Sequence, residues 1–200
     1  MLRDCHTHNL DSSVGIISVT PDYTNFKDDK SYSCGLHPWN TSVDFNSDEL
    51  IGLENLLVNK QIIAIGEAGL DRLKGAPIEV QEKIFMRQID LSESFRLPLI
   101  IHCVRATADL LRIKKNVAPK QPWILHGFRG NYMSAKQLCD SGFYISIGEK
   151  FNPQSIEAIP SDKLLVETDE SSLSIEEIAR RINPQALEIS TYNLNNLLNK

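Results

Sequence analysis

The sequence has no long hydrophobic run, which excludes a protein built on membrane-spanning helices. No stretch approaches the roughly 18 consecutive apolar residues that such a helix requires. The amino terminus reaches charged and polar residues at once, so we expect neither a signal sequence nor an anchor. These absences predict a cytoplasmic protein with no membrane partner.

Runs of like charge and closely spaced cysteines are also missing. The formal net charge is −5, and like charges occur only in short groups, so there is no broad basic face to hold a nucleic-acid backbone over a long distance. Any nucleic acid must therefore be bound locally. The four cysteines form no Cys-x-x-Cys pair, which favours a reduced, cytosolic chain.

What remains is an ordinary globular composition. Of the 200 residues, 42% are hydrophobic and 24% are charged, and no linker, internal repeat or low-complexity segment interrupts them. A chain of this length buries roughly 70% of its unfolded surface without disulfides or structural metals. We therefore predict a single domain over residues 1–200.

Short apolar runs typical of buried strands recur along the whole chain. They are Leu2–His8, Ile16–Val19, Ser33–Leu36, Ile62–Ile65, Leu99–Ile101, Trp123–Leu125, Phe143–Ile147 and Leu164–Val166. Segments with helical periodicity or helix-capping residues lie between several of the runs and after the last one. They are Asp48–Asn59, Val80–Phe95, Thr107–Lys115, Tyr132–Ser141 and Ser174–Ile182, the last beginning with a capping box of Ser174 and Glu177.

Eight strands alternating with helices predict an α/β fold of the (β/α)8 TIM-barrel type. An open, doubly wound sheet is the competing layout, but no glycine-rich phosphate loop follows the first strand to favour it. Residues 9–15 and 21–30 are too short or too polar for full helices. We therefore expect a compact barrel that lacks one or two outer helices near the N-terminus.

Histidines and carboxylates stand where several of these apolar runs stop. They are His6, His8, Glu67, His102, His126 and Asp169. Because the carboxyl ends of all strands in a parallel barrel lie on one face, we expect these six side chains to converge there.

The six residues have the chemistry of a metal site. His6 and His8 are two residues apart in an extended segment, so both imidazoles point to the same side. Imidazole nitrogens and carboxylate oxygens suit Zn²⁺ or Mn²⁺ and, with more water ligands, Mg²⁺. Six groups exceed the needs of one ion, which favours two ions about 3.5–4 Å apart. A single histidine after a strand is usually a core or loop residue, and we interpret Glu167 as a helix cap or a solvated loop group.

The same residues lie in motifs that resemble those of the TatD-related metal-dependent hydrolases, a branch of the amidohydrolase-like barrels. The resemblance covers nearly the whole chain in order. It includes Asp4-Cys-His-Thr-His8, Gly35-Leu-His-Pro-Trp39, Gly66-Glu-Ala-Gly-Leu-Asp71, Leu97-Pro-Leu-Ile-Ile-His-Cys-Val-Arg-Ala106, His126-Gly-Phe and Glu167-Thr-Asp169.

This resemblance implies that all six residues bind metal and that Glu67 contacts both ions. It also implies a phosphodiesterase or deoxyribonuclease (DNase) activity, with DNA or another phosphodiester as the substrate. The chain departs from the family in its shortened first helices and in Glu170-Ser-Ser-Leu173, where a proline is common. Missing helices would expose apolar barrel surface, so we expect a homo-oligomer in which a second copy covers it.

In the mechanism that this resemblance implies, a metal-activated water attacks phosphorus, with Glu67 and Asp169 as the catalytic carboxylates. Asp169 holds one ion and orients the water or accepts its proton. His37 and Arg105 are candidate phosphate contacts, with a structural hydrogen bond and a surface ion pair as the respective alternatives. Asp4 and Asp71 are expected to support ligands or loops.

Three alternative functions remain open. The same barrel and metal ligands would also serve hydrolysis of another ester, an amide or a lactone. A catalytically silent barrel that acts as a binding protein is the second alternative. The third is a thiol-based activity of Cys103 beside His102.

Overall fold

Strands and helices alternate along the chain in the computed structural model, which describes residues 1–44 and 47–198. The strands are β1 (Asp4–Thr7), β2 (Gly15–Val19), β3 (Ser31–Cys34), β4 (Ile62–Asp71), β5 (Leu99–Val104), β6 (Trp123–Leu125), β7 (Phe143–Ile147) and β8 (Leu164–Val166). The helices are α1 (Ser47–Leu56), α2 (Ile78–Phe95), α3 (Thr107–Val117), α4 (Tyr132–Asp140), α5 (Pro153–Ile156), α6 (Ile175–Ile182) and α7 (Ala186–Leu198). Short 3-10 turns lie at Pro38–Asn40 and Ser161–Lys163.

The eight strands belong to one sheet whose strand order is the chain order. The pairs β1–β2, β3–β4, β4–β5, β6–β7 and β7–β8 are parallel. A parallel bridge between Thr7 and Asp169 also joins the first strand to the segment after the last one. Residues 8–14 and 20–30, all of which are described, contain no helix. This confirms the expected loss of outer helices near the N-terminus.

The chain divides into two compact units. We call Met1–Ile17 together with the chain from Trp123 onward the terminal unit, and Ser18–Pro122 the central unit. That residues 1–200 form a single domain stays a prediction.

Each unit buries large apolar side chains of its strands and helices. In the terminal unit, Trp123 and Phe143 are fully buried and pack edge to face, with ring centroids 5.7 Å apart. In the central unit, Phe85 of α2 and Ile65 of β4 are fully buried. Burial of such a side chain stabilises the fold by about 1.5–3 kcal/mol.

Among the described helices, none combines the length and the apolar content needed to cross a membrane. All four cysteines lie in the described part of the chain and are free thiols there.

Candidate functional site

The terminal unit brings four of the predicted ligands together. His6 lies within β1 and is fully buried, and His8 follows that strand and is more exposed. Their Nε2 atoms lie 3.7 Å and 3.6 Å from Oδ1 of Asp169. His126 directly follows β6, and its ring centroid is 4.4 Å from that of His6. We call His6, His8, His126 and Asp169 the terminal cluster.

Backbone hydrogen bonds fix Asp169 against the first strand. The Asp169 N–H donates to the His6 carbonyl at 2.9 Å, and the His8 N–H donates to the Asp169 carbonyl at 3.1 Å. The Asp169 backbone is left-handed, with φ of 53°. Asp169 therefore lies beside the histidines although about 160 residues of chain separate them.

A buried carboxylate supports the terminal cluster from behind. Glu167 is fully buried, and its Oε1 lies 3.5 Å from Nδ1 of His126 and accepts the Gly127 N–H at 2.6 Å. Burial raises the pKa of Glu167, but hydrogen bonding and charge from His126, with the charge of His6, outweigh burial and lower it. The interpretation of Glu167 as a helix cap or a solvated loop group is therefore wrong, because this carboxylate is buried away from solvent and faces His126.

Asp4 supports the same cluster through the backbone, as expected. Its carboxylate accepts the Thr168 hydroxyl at 2.6 Å, the Thr168 N–H at 3.0 Å and the His6 N–H at 3.3 Å. Burial raises the pKa of Asp4 to about 7, against the lowering effect of these hydrogen bonds. Asp4 thus holds the segments that carry His6 and Asp169.

The central unit brings together Glu67, His102 and His37, which we call the central cluster. Oε1 of Glu67 lies 3.4 Å from Nδ1 of His102 and 3.3 Å from Nε2 of His37. Glu67 lies in the middle of β4 and His102 within β5, rather than at the strand ends that the sequence suggests. β4 and β5 approach closely here because Gly69 has φ of 142°, and a Cβ at Gly69 would lie 2.1 Å from the His102 carbonyl oxygen.

Asp71 orients His102 in the way expected of a supporting carboxylate. Its Oδ2 lies 3.0 Å from Nε2 of His102 and accepts the Trp39 indole N–H at 2.6 Å. Burial raises the pKa of Asp71, but hydrogen bonds from Trp39, His102 and the Leu73 N–H outweigh burial and lower it. The ionised Asp71 accepts the Nε2–H of His102, so the Nδ1 lone pair of a neutral His102 points toward Glu67.

His37 has the opposite arrangement of its ring nitrogens. Its Nδ1 accepts the Trp39 backbone N–H at 3.1 Å, so the neutral ring carries its proton on Nε2. That proton faces Glu67. His37 thus donates a hydrogen bond toward Glu67 in this geometry. The side chains of the central cluster that can act as metal ligands are Glu67 and His102.

The residues present have the chemistry of divalent-metal ligands. The donor atoms of His6, His126 and Asp169 all lie within 4.8 Å of one another. The same holds for His37, Glu67 and His102. In both clusters a second carboxylate, Glu167 or Asp71, faces the histidine, an arrangement typical of metal-binding histidines. Neutral imidazole and carboxylate together suit Zn²⁺, Mn²⁺ or Mg²⁺.

Two residues near His102 have contrasting properties. Arg105 follows β5 with an exposed side chain and a left-handed backbone, and it forms no ion pair with any residue that the structure describes. The surface ion pair considered for Arg105 is therefore not found. Burial raises the pKa of the Cys103 thiol to about 11, which keeps the thiol protonated near neutral pH and disfavours a thiol nucleophile.

The chain is similar to proteins described as metal-dependent hydrolases and deoxyribonucleases. The family model described as TatD related DNase matches residues 9–198. The chain is 33% identical over 144 residues to the uncharacterized metal-dependent hydrolase YabD of Bacillus subtilis, an alignment that covers 68% of this chain and 56% of that protein. It is 29% identical over 180 residues to deoxyribonuclease Tat-D of Schizosaccharomyces pombe, covering 80% and 56%. The chain thus spans little more than half the length of these curated relatives.

A solved structure shows the same fold. The crystal structure of the TatD homologue YjjV from Escherichia coli aligns with a TM-score of 0.74 at 22% identity, covering 91% of this chain and 83% of that one. Together with the strand order, this likeness confirms the predicted eight-stranded α/β barrel class. The chain belongs to the TatD-related DNase family.

Proposed function

We propose that the protein is a divalent-metal-dependent phosphodiesterase that cleaves DNA. The observation that carries the proposal is the central cluster, where His102, oriented by the ionised Asp71, directs a nitrogen lone pair toward the carboxylate of Glu67. Two electron-pair donors in this arrangement suit a cation between them. Family membership and the relative named deoxyribonuclease favour DNA as the substrate.

We assign one ion to each cluster. Glu67 and His102 would hold the first ion, and His6, His8, His126 and Asp169 would hold the second. When bound, the ions would lower the pKa of a water ligand and neutralise charge on the scissile phosphate. Two divalent ions carry about +4, compared with a formal net charge of −5 for the whole chain.

The chain's own residues would divide the remaining work. Asp169 accepts the proton of the attacking water, because its carboxylate is partly exposed and lies beside two histidines. The Nε2–H of His37 is available to a phosphate oxygen when substrate approaches Glu67. Arg105, exposed and not held by an ion pair among the described residues, supplies a second phosphate contact.

The test is turnover and metal content in Asp169→Asn, with Asp140→Asn as the matched control. Asp140 is an exposed carboxylate of the same unit that pairs with Lys136. Single-stranded DNA and bis(p-nitrophenyl) phosphate are offered with Mg²⁺, Mn²⁺ and Zn²⁺ in turn, beside a peptide, a carboxylic ester and a lactone. We expect phosphodiester cleavage in wild type and in the control, a loss of at least about 100-fold in Asp169→Asn, and about two ions per chain by mass spectrometry.

Full activity in Asp169→Asn would refute the assigned role of this carboxylate. Cleavage confined to the peptide, ester or lactone would replace the substrate class while leaving the metal clusters in place. A pure protein that binds no divalent ion would overturn the proposal.

A further inference from the structure

Helix α2 buries two glutamines, and their side chains bind the backbone of two loops near the central cluster. One loop contains Leu36 and His37, and the other runs from Asp71 to Ala76. Gln88 is almost fully buried. Its side-chain amide forms two hydrogen bonds with the backbone of one residue, Leu36, as the backbone of a neighbouring strand would. Its Oε1 accepts the Leu36 N–H at 2.8 Å, and its Nε2 donates to the Leu36 carbonyl at 3.1 Å. Leu36 is the residue before His37, so Gln88 fixes the peptide from which His37 projects.

Gln81 binds the other loop in the same way. Its Oε1 accepts the Asp71 N–H at 2.7 Å. Its Nε2 faces three carbonyl oxygens, those of Asp71 at 2.8 Å, Lys74 at 2.9 Å and Ala76 at 2.7 Å. Asp71 is the carboxylate that orients His102, so Gln81 fixes the backbone on which that orientation depends.

The two loops also contact each other. Gly75 has φ of 83°, and a Cβ there would lie 2.0 Å from the Pro38 carbonyl oxygen, so only glycine permits the approach. The Ala76 N–H donates to the Thr41 hydroxyl at 3.2 Å. The loop that Gln81 holds therefore packs on the 3-10 turn that follows His37.

The spacing of the glutamines explains how one helix holds both loops. Gln81 and Gln88 are seven residues apart, which is about two helical turns, so both side chains lie on the same face of α2. A buried amide is costly unless it is hydrogen-bonded, and apolar residues would fill this face without that requirement. Both amides use their oxygen and their nitrogen to bind loop backbone, which indicates a role in fixing backbone geometry.

We propose that Gln81 and Gln88 are positioning residues of the central cluster. Gln81 acts on His102 through Asp71, and Gln88 acts on His37 through Leu36. Helix α2 thereby fixes the orientation of the His102 ring, and so the direction in which its Nδ1 points toward Glu67. The consequence for metal affinity rests on the proposed function, whereas the consequence for His102 in the metal-free protein does not.

The test compares Gln81→Leu and Gln88→Leu with Ser92→Ala. Ser92 is a buried polar residue of the same helix whose hydroxyl donates to the Leu97 carbonyl at 2.6 Å, away from either loop. It therefore controls for the loss of a buried hydrogen bond in α2. Gln81→Glu, which keeps the acceptor for the Asp71 N–H and loses the donors, serves where Gln81→Leu does not fold.

The first readout is the side-chain nitrogen NMR spectrum of metal-free protein, with His102 assigned from His102→Gln. In wild type and Ser92→Ala we expect His102 protonated at Nε2. In Gln81→Leu or Gln81→Glu we expect a shift toward a mixture of the two tautomers, because Asp71 is displaced. An unchanged His102 spectrum in the Gln81 variant, or an equal change in Ser92→Ala, would overturn the proposal.

The second readout is Mn²⁺ affinity by titration calorimetry. We expect Gln81→Leu to weaken binding about tenfold, at the lower end of the effects seen for residues that orient metal ligands, with Ser92→Ala unchanged. Gln88→Leu should affect Mn²⁺ binding less, since His37 is not a ligand, and should raise KM for bis(p-nitrophenyl) phosphate with kcat less affected. Wild-type values in both glutamine variants would contradict the proposal. If wild type itself binds no Mn²⁺, the proposed function fails, and the NMR spectra alone decide whether Gln81 positions His102.

Discussion

Arg105 and Asp169 share an unusual backbone conformation beside the candidate ligands. Their φ angles are 52° and 53°, in the left-handed region. Aspartate tolerates this region comparatively well, but a residue with a longer side chain adopts it at a cost of about 1–2 kcal/mol. Such a cost is typical of functional positions, where a side chain is retained for its chemistry.

We therefore predict opposite effects on stability and activity at Arg105. Arg105→Gly should raise the free energy of unfolding by about 0.5–1 kcal/mol, because glycine relieves the left-handed conformation. It should also weaken phosphodiester cleavage, because the guanidinium is gone. Urea unfolding and a phosphodiesterase assay measure the two effects.

Arg105→Ala is the matched control, since it removes the guanidinium but keeps the backbone cost. It should lose as much activity as Arg105→Gly without the gain in stability. Full activity in either variant would exclude Arg105 as a phosphate contact.

At this scale the sequence predicts which residues come together better than it predicts their surroundings. His6, His126 and Asp169 lie together as expected, and their role as metal ligands stays a prediction. The sequence does not predict the surroundings of Glu167, because they are set by His126, 41 residues earlier in the chain. One local signal was available: Glu167 directly continues the buried run of β8.

Among the helices, α6 shows the closest agreement between sequence and structure. The Ser174 hydroxyl accepts the Glu177 N–H, and the Glu177 carboxylate accepts the Ser174 N–H at 2.9 Å, which confirms the predicted capping box. Because the signal is local, sequence alone identifies it.

Loss of this cap should have a measurable cost. We predict that Ser174→Ala lowers the free energy of unfolding by about 1 kcal/mol, since the Glu177 N–H in the first turn loses its side-chain acceptor. Urea denaturation measures the change. Ser174→Asp, which keeps an acceptor, should remain within about 0.5 kcal/mol of wild type, and an equal loss in both variants would show that the cap is not the cause.

The connection between β2 and β3 replaces a helix with aromatic packing. Phe26 lies edge to face with Tyr23 and Tyr32, with ring centroids 5.1 Å and 5.0 Å away. The polarity of this segment predicts that no full helix forms here. It does not predict the ring cluster, because the partners are brought together by the turn rather than by a periodic pattern.

We expect Phe26→Ala to lower the free energy of unfolding by about 1–2 kcal/mol. Phe26 is half-buried, so the loss should be a fraction of the roughly 3–5 kcal/mol found for fully buried phenylalanine. Thermal unfolding of Phe26→Ala and Phe26→Leu measures it, and the leucine variant should lose less. No loss in Phe26→Ala would mean that the ring cluster does not stabilise this connection.

Helix α7 is absent from the sequence prediction for a physical reason. Its buried face includes Ser190 and Asn193, which interrupt the apolar periodicity. The Ser190 hydroxyl accepts the Val166 N–H at 2.8 Å, and the Asn193 amide donates to the carbonyls of Ser161 and Leu164 at 2.7 and 2.9 Å. In the sequence alone, buried polar residues that hydrogen-bond to the backbone of a neighbouring strand cannot be distinguished from polar residues that face solvent.

For the whole molecule, bound metal should contribute to stability as well as to catalysis. We predict that EDTA lowers the unfolding temperature and that Mn²⁺ restores it, because a ligand at 100 times its dissociation constant stabilises the native state by about 2.7 kcal/mol. Differential scanning calorimetry measures this shift. Asp169→Asn should show a smaller shift than wild type, and an EDTA-insensitive wild type would contradict the prediction.

The expected homo-oligomer also stays a prediction at this scale. Several large apolar side chains are exposed among the described residues, including Val58, Met133 and Tyr192. Sedimentation velocity across a range of protein concentrations tests it, and a monomer at every concentration would contradict it.

The polar contacts from α7 to β8 link the end of the described chain to the terminal cluster. Without α7, the Val166 N–H and the Leu164 carbonyl would each lose a hydrogen-bonding partner, just upstream of Glu167 and Asp169. Affinity tags, fusions and truncations at this helix would thus act on the candidate metal ligands from a distance. An activity measured with a shortened or modified C-terminal helix would report on that helix as much as on the chemistry of the site.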